Sequence, residues 1–243
     1  NPVSTRTPLA ALGLILALTL PVDGAQGQQR KTPVWNVALG TPVSELPPDY
    51  LIRACGTNGG PPTLPIAGFE EFARCPAEPE TGLHEVWFSY DDEAEYYLRA
   101  IRARPEAIEA YRTNTLFQQL VIFSLLIDED GLVQGHRIIS DPREDPLRRE
   151  DADISLSLKA VAYGALGWTC TDLPLAEGER PLGEGFKKER CEKEADGRHI
   201  TVESYRFLKA GQQAGRPGAP QNNEFSAGMR VELIRADLAP QSR

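Results

Sequence analysis

The residues of this chain best equipped for chemistry are its four cysteines, Cys55, Cys75, Cys170 and Cys191. Such a set serves either as paired disulfides or as thiolate ligands to a metal. No Cys-x-x-Cys pair occurs, and His84, His136 and His199 lack the spacing that would complete a zinc site. We therefore read two disulfides and no metal. Of the three possible pairings, Cys55–Cys75 and Cys170–Cys191 each close a short local loop and give each half of the chain its own staple. Loops of that length stabilise a fold by ~3 kcal/mol each on chain-entropy grounds.

Acid–base and nucleophilic chemistry find little material. Three histidines among 243 residues leave small general-base capacity near neutral pH. His136 falls inside a strand pattern and His84 and His199 fall at strand starts, where a surface or hydrogen-bonded sheet role accounts for them. Gly-x-Ser-x-Gly and His-Glu-x-x-His are both absent. Asp91, Asp92, Glu93 and Glu95 could converge with distant acids for carboxylate-pair chemistry, yet acids in such a run are also what a helix N-terminus attracts. Trp87, Tyr90, Tyr96 and Tyr97 could line a ligand pocket, although their strand and helix spacing fits a core. Gly56-Thr57-Asn58-Gly59-Gly60 has neither the Lys-Ser/Thr of a P-loop nor dinucleotide spacing, so we read a flexible turn. Aligning Gly131 with the sixth position of a calcium loop puts Leu126 first and Arg137 twelfth, which removes two essential oxygens. We expect no catalytic, cofactor-binding or metal-ligating residues.

The elements that would carry these residues follow from patterning. Residues 1–27 hold one cation, Arg6, an apolar run from Leu9 to Leu20 stopped by Pro21, and Ala25-Gln26-Gly27 as a cleavage pattern. Twelve helical residues span ~18 Å, short of a ~30 Å bilayer core, so the run reads as an export signal rather than a membrane span. Residues 28–83 form a Pro/Gly-rich, disulfide-tethered arm with short helices expected over 49–54 and 68–74. Residues 84–236 form an α+β domain, followed by a tail over 237–243. Its first strand is expected over 85–90. A helix follows in which Ala94, Tyr97, Leu98 and Ile101 make one buried face, and a second short helix runs from Pro105 to Tyr111.

Asp128-Glu129-Asp130-Gly131 between two apolar runs, 119–127 and 132–140, predicts a β-hairpin whose first strand lies inside the sheet. Asp145-Pro146 resembles an N-cap. The following helix carries Ile154, Leu158, Val161, Ala162 and Ala165 as its apolar stripe and ends at Gly167 with Trp168 packing back. Three strands are expected over 186–193, 198–209 and 226–235, with a Gln/Gly/Pro-rich linker before the last. The fold class is α+β: a mostly antiparallel sheet with helices packed on one face, a hairpin–helix–strand core and two disulfide staples.

Charge narrows the partners. The balance of 26 Lys+Arg against 35 Asp+Glu gives −9, which argues against nucleic acid, since phosphate binding needs a basic face. An even cysteine count behind an export signal points outside the cytoplasm, and the absence of glycosylation sequons with Arg in excess of Lys points to a bacterial periplasm.

One stretch resembles a known family. Val121-Ile122-Phe123-Ser124-Leu125-Leu126-Ile127, Asp128-Glu129-Asp130-Gly131, Leu132-Val133 and Arg137-Ile138-Ile139-Ser140 precede the helix with Leu158-Lys159-Ala160-Val161. The exit Gly167-Trp168 and the loop Gly178-Glu179-Arg180-Pro181-Leu182 before Phe186 follow. Over about residues 119–190, a third of the chain, this order resembles the C-terminal domain of the TonB energy transducers. The resemblance implies a small ββαβ fold and a non-enzymatic periplasmic role in which an extended partner peptide pairs with the sheet edge. The family's Tyr-Pro motif, membrane anchor and Pro/Lys spacer have no counterpart here, and two disulfides and extra C-terminal strands are added. The expected function is an exported cell-envelope binding or accessory protein without catalytic machinery, recognising another envelope protein by sheet-edge pairing. Two alternatives stay open: a periplasmic hydrolase using carboxylates and a small-ligand carrier with an apolar pocket.

Overall fold

Asp128 starts the central hairpin by doing the work of a turn. Its Oδ1 accepts the N–H groups of Asp130 (3.1 Å) and Leu132 (2.9 Å), and Gly131 takes φ +77°. The flanking runs become β4 (Gln119–Ile127) and β5 (Val133–Ser140), paired antiparallel with Val121 opposite Ser140 and a bulge at Leu126/Ile127. Nearly every residue of both strands is buried, as an interior position requires.

This is a computed structural model that describes residues 31–117, 119–142, 154–181, 187–208, 210 and 225–239. The export signal, the Asp145-Pro146 cap, Phe186 at the start of its expected strand and nearly all of the linker before the last strand lie outside the described residues. Among those described, no helix is long and apolar enough to cross a membrane.

Around the hairpin stand β1 (Ile52–Cys55), β2 (His84–Ser89), the two-residue β3 (Thr115–Leu116), β6 (Thr169–Asp172), β7 (Lys187–Ala195), β8 (Arg198–Leu208) and β9 (Phe225–Arg235). The strand order is β1-β2-β4-β5-β9-β8-β7-β6, with β3 paired to β4. Every pairing described is antiparallel. The helices are α1 (Glu93–Ala100), α2 (Pro105–Ala110) and α3 (Ile154–Leu158), the last running into a π-helical turn over Lys159–Tyr163. Both expected disulfides are formed, Cys55–Cys75 and Cys170–Cys191.

The main apolar cluster gathers alternate residues of the strands, among them Val86, Phe88, Phe123, Leu125, Ile138, Val202 and Val231. The proline-rich segment adds Val34, Tyr50, Ile66 and Phe69 to the same cluster. Tyr50 stacks on Phe88 at 3.9 Å and Phe88 on Phe123 at 5.8 Å, so an aromatic column runs from that segment into β4. The opposite face of the sheet is polar at its centre. Arg137, 3% exposed, bonds Glu78 at 2.8 Å, Glu85 at 2.9 Å and Glu232 at 2.7 Å. Burial opposes its charge, but the hydrogen bond it donates to Glu78 and the charges of Glu232, Glu85 and Glu78 outweigh it and raise the guanidinium pKa.

Three expectations are corrected. Residues 49–54 do not form a helix. Ile52–Cys55 is strand β1, because pairing with Val86–Ser89 of β2 gives its backbone a ladder and places Ala54 and Cys55 in the core. The short helix expected over 68–74 is present, as a 3-10 helix over Phe69–Arg74. Helix α1 fully buries none of its residues: Leu98 is half-buried, and Tyr97 and Ile101 are 59% and 71% exposed, so the described residues leave most of its apolar stripe uncovered. In the third helix the π-turn rotates the stripe: Lys159 and Tyr163 go inward and Val161 is left 65% exposed. That helix ends at Gly164, φ +81°, whose carbonyl accepts the Trp168 Nε1–H at 2.8 Å.

Replacing Arg137 by Met leaves three carboxylates facing one another without their cation. We expect urea unfolding to show a loss of about 3–5 kcal/mol at unchanged slope. A loss below about 1 kcal/mol would show that the cluster is solvated and unimportant.

Candidate functional site

A hairpin fixes which residues meet at its open end as firmly as at its turn. With Val121 opposite Ser140, the next pair outward is Leu120 and Asp141, and the Asp141 N–H bonds the Leu120 carbonyl at 2.9 Å. Helix α1 sits over this end. Its acids hold it there: Asp91 Oδ1 accepts the Glu93 N–H at 2.9 Å in the first turn, and Glu95 bonds the Thr113 N–H at 3.2 Å. Arg99 donates twice to Glu95, at 2.9 and 2.7 Å, the surface pair that the four-residue spacing predicts. Lys31 reaches the Thr113 carbonyl at 2.6 Å, and burial lowers its pKa while the Glu95 charge raises it.

Between these parts lies an open cavity of about 260 Å³. Trp87, Tyr96, Leu120 and Val121 line it with apolar surface, and Asp92, Glu95, Asp141, Arg99, Thr113 and Asn114 with polar groups. Asn114 is fixed by its own bonds, donating to Ser89 Oγ at 2.6 Å and accepting the Tyr90 N–H at 3.3 Å. Thr113 is buried, and its Oγ1 has no hydrogen-bond partner among the described residues. The arrangement suits hydrogen-bond donors and cations, with an aromatic wall to pack against. At the small end of the range for ligand cavities, it has the size for one side chain.

The sequence-predicted candidates separate. Of the four acids in the 91–95 run, Asp92 and Glu95 reach the cavity and meet the distant Asp141, whereas Asp91 and Glu93 serve the helix start. Trp87 and Tyr96 line the cavity, Tyr90 is core, and Tyr97 is exposed. The residues that sequence reasoning missed are Arg99, Thr113, Asn114, Leu120, Val121 and Asp141. For Asp141 the signal existed in the hairpin register, while nothing local marks Thr113 or Asn114.

No histidine enters the site. His84 Nδ1 lies 2.6 Å from the Cys75 carbonyl, and His199 faces Glu194 at 3.5 Å. His136 is buried on the sheet with its Nε2 2.7 Å from the Tyr163 phenol, which burial keeps protonated. Cys170, Cys191 and Glu189 do cluster within 4.8 Å, but both sulfurs are bound to each other rather than offered as thiolates. Comparison with family models, with curated proteins and with solved structures finds no match.

Burial, with a contribution from the Arg198 charge, brings the His136 pKa down to about 3. The unfolded imidazole titrates near ~6.5, so below that pH protons favour the unfolded chain. The stability owed to neutral His136 is therefore complete above ~6.5 and is lost as pH falls toward the folded value, at up to ~1.4 kcal/mol per pH unit. Urea midpoints from pH 7 to pH 4 should fall less steeply in His136→Asn than in the parent. Equal slopes would place the histidine in a solvated site.

Proposed function

We propose that this protein is a non-catalytic binding or accessory protein of the cell envelope, working in the periplasm and holding another envelope protein. The observation that carries this reading is the uncovered aromatic surface around α1. Tyr96, Tyr97, Ile101 and Tyr111 are exposed, and of the α1 residues only Glu95 and Leu98 are even half-buried. Large exposed apolar side chains beside a polar rim are the composition of a protein interface, and Tyr and Arg dominate binding energy there. The adjoining cavity supplies charge complementarity: Asp92, Glu95 and Asp141 line it, in a chain of net charge −9. Its occupant is a Lys or Arg side chain of a partner segment whose apolar residues cover the tyrosines.

Two disulfides fit an oxidising compartment and so support the periplasmic placement. The reading also takes the helices to lie on one face of the sheet. Leu158 and Tyr163 join the same cluster as Val86 and Val231, which supports this for α3.

Sheet-edge pairing of the kind implied by the TonB resemblance is a second reading, favoured by one feature. The β1 edge is covered by backbone bonds from residues 63–66, whereas β6 is exposed along all four residues and, among the described residues, is paired on one side only. In this reading a partner strand continues the sheet beyond β6.

A photo-crosslinker placed at position 97 should yield an adduct in intact envelope that the same probe at Arg190 does not give. In binding to the isolated partner, Ile101→Glu should abolish capture. Tyr97→Ala should cost about 2 kcal/mol, roughly thirtyfold in Kd. Asp92→Asn should weaken binding and flatten its salt dependence. Identical adducts from positions 97 and 190, or binding indifferent to all three substitutions, would overturn the assignment.

A further inference from the structure

The two disulfides occupy opposite environments. Cys55 and Cys75 are both buried in the main core. In the other bridge Cys191 is 1% exposed, whereas Cys170 on β6 faces solvent. The two residues stand directly opposite each other in the β6–β7 pair. Because the Leu173 N–H bonds the Lys188 carbonyl, alternation makes Cys170–Cys191 a non-hydrogen-bonded pair. The Cys170 backbone groups therefore point outward, away from β7. Cys170 is therefore the exposed member of the bridge, at the edge of the sheet, and Cys191 the buried one, so we take Cys170 as the side from which a thiol approaches.

The inner sulfur has a donor waiting. Lys159 is 6% exposed, and its Nζ lies 3.3 Å from Cys191 Sγ. The π-turn directs it there, and the Trp168 ring stands 5.5 Å from the same nitrogen. A carboxylate oxygen of Glu189 lies within 4.8 Å of both sulfurs. A donor at the leaving sulfur and a proton acceptor beside the attacked one are the two aids that thiol–disulfide exchange uses.

We propose that Cys170–Cys191 is a thiol–disulfide exchange site that accepts electrons from a dithiol, either a small molecule or a Cys-x-x-Cys protein. The first thiol passes its proton to Glu189 and attacks Cys170 Sγ as thiolate. The S–S bond breaks, Cys191 leaves as thiolate under the Lys159 hydrogen bond, and the proton on Glu189 passes to it. The second thiol of the dithiol attacks the mixed disulfide, forms its own S–S bond, and expels Cys170, which takes that thiol's proton. Two electrons and two protons move from the dithiol to the cysteine pair. Cys55–Cys75 takes no part and serves as an internal reference.

The test exposes the folded full-length chain to dithiothreitol or to reduced thioredoxin, quenches with an alkylating reagent at intervals, and maps the labelled peptides. Cys170 and Cys191 should be labelled at least tenfold faster than Cys55 and Cys75. In single-cysteine variants of this bridge, glutathione disulfide should form its adduct on Cys170 in Cys191→Ser and not on Cys191 in Cys170→Ser. Lys159→Met should slow the opening about tenfold, with protection of Cys55–Cys75 as the check that the variant is folded. Selective opening by dithiothreitol alone assigns a small dithiol, and opening by thioredoxin as well assigns a protein one. Equal opening rates for the two bridges overturn the proposal, whether or not the Lys159 variant folds. A folded Lys159→Met that opens as fast as the parent also overturns it.

Discussion

The buried guanidinium of Arg137 constrains the rest of the structure. It sits on β5, the strand where the N-terminal strands β1, β2 and β4 meet the C-terminal strands β9, β8, β7 and β6. Its three carboxylates come from separate places: Glu78 from the proline-rich segment, Glu85 from β2 and Glu232 from β9. A charge out of water must be paired, so the fold cannot close until all three segments are in place. The cluster also sets register. Arg137 stands opposite Ser124 on one side and Glu232 on the other, and a slip of one residue would turn it toward the apolar face that holds Ile138 and Val231. Glu85 extends the same control outward, since its Oε2 also accepts the Asn58 N–H at 2.6 Å and pins the glycine-rich turn.

With the centre of the sheet locked this way, the exposed features lie at its periphery. At the open end of the hairpin, the register that Arg137 protects brings Asp141 beside Leu120 and under α1. Glu95 is shared by Arg99 and the Thr113 backbone, so the helix is held by polar bonds and leaves its tyrosines outward. That is costly for a soluble surface and consistent with a covered state. At the far edge, the exposed β6 is joined to the sheet by its ladder with β7 and by one disulfide. The two peripheral features rest on different chemistry and stand independently. Between them lie His136 and Tyr163, a buried polar pair that the core keeps neutral.

What could be read from residues alone was whatever is local. The hairpin was legible because Asp128 and Gly131 encode a turn and the runs beside it encode strands. The disulfide partners were legible because each pair closes a short loop, and the Glu95–Arg99 pair because helix geometry sets its spacing. The strand β1 was not, since Ile52–Cys55 takes its conformation from the edge of β2 rather than from its own sequence. Nor was β6, whose four exposed residues carry no apolar alternation. The periodicity of α1 revealed an apolar stripe correctly but could not say what would cover it, because that depends on a surface elsewhere. More than half of the cavity lining was hidden for the same reason. Asp92 and Glu95 stood out as a run and Asp141 follows from the hairpin register, while Thr113 and Asn114 acquire meaning only through contacts with distant segments.

The Arg137 cluster joins all eight strands of the main path into one cooperative sheet. Native-state hydrogen exchange reports on this amide by amide. The slowest amides of β4, β5, β9 and β8 should exchange with one common free energy, equal to that of global unfolding. Two separate free energies divided at the β5–β9 boundary would mean that the halves unfold independently and that the cluster does not join them.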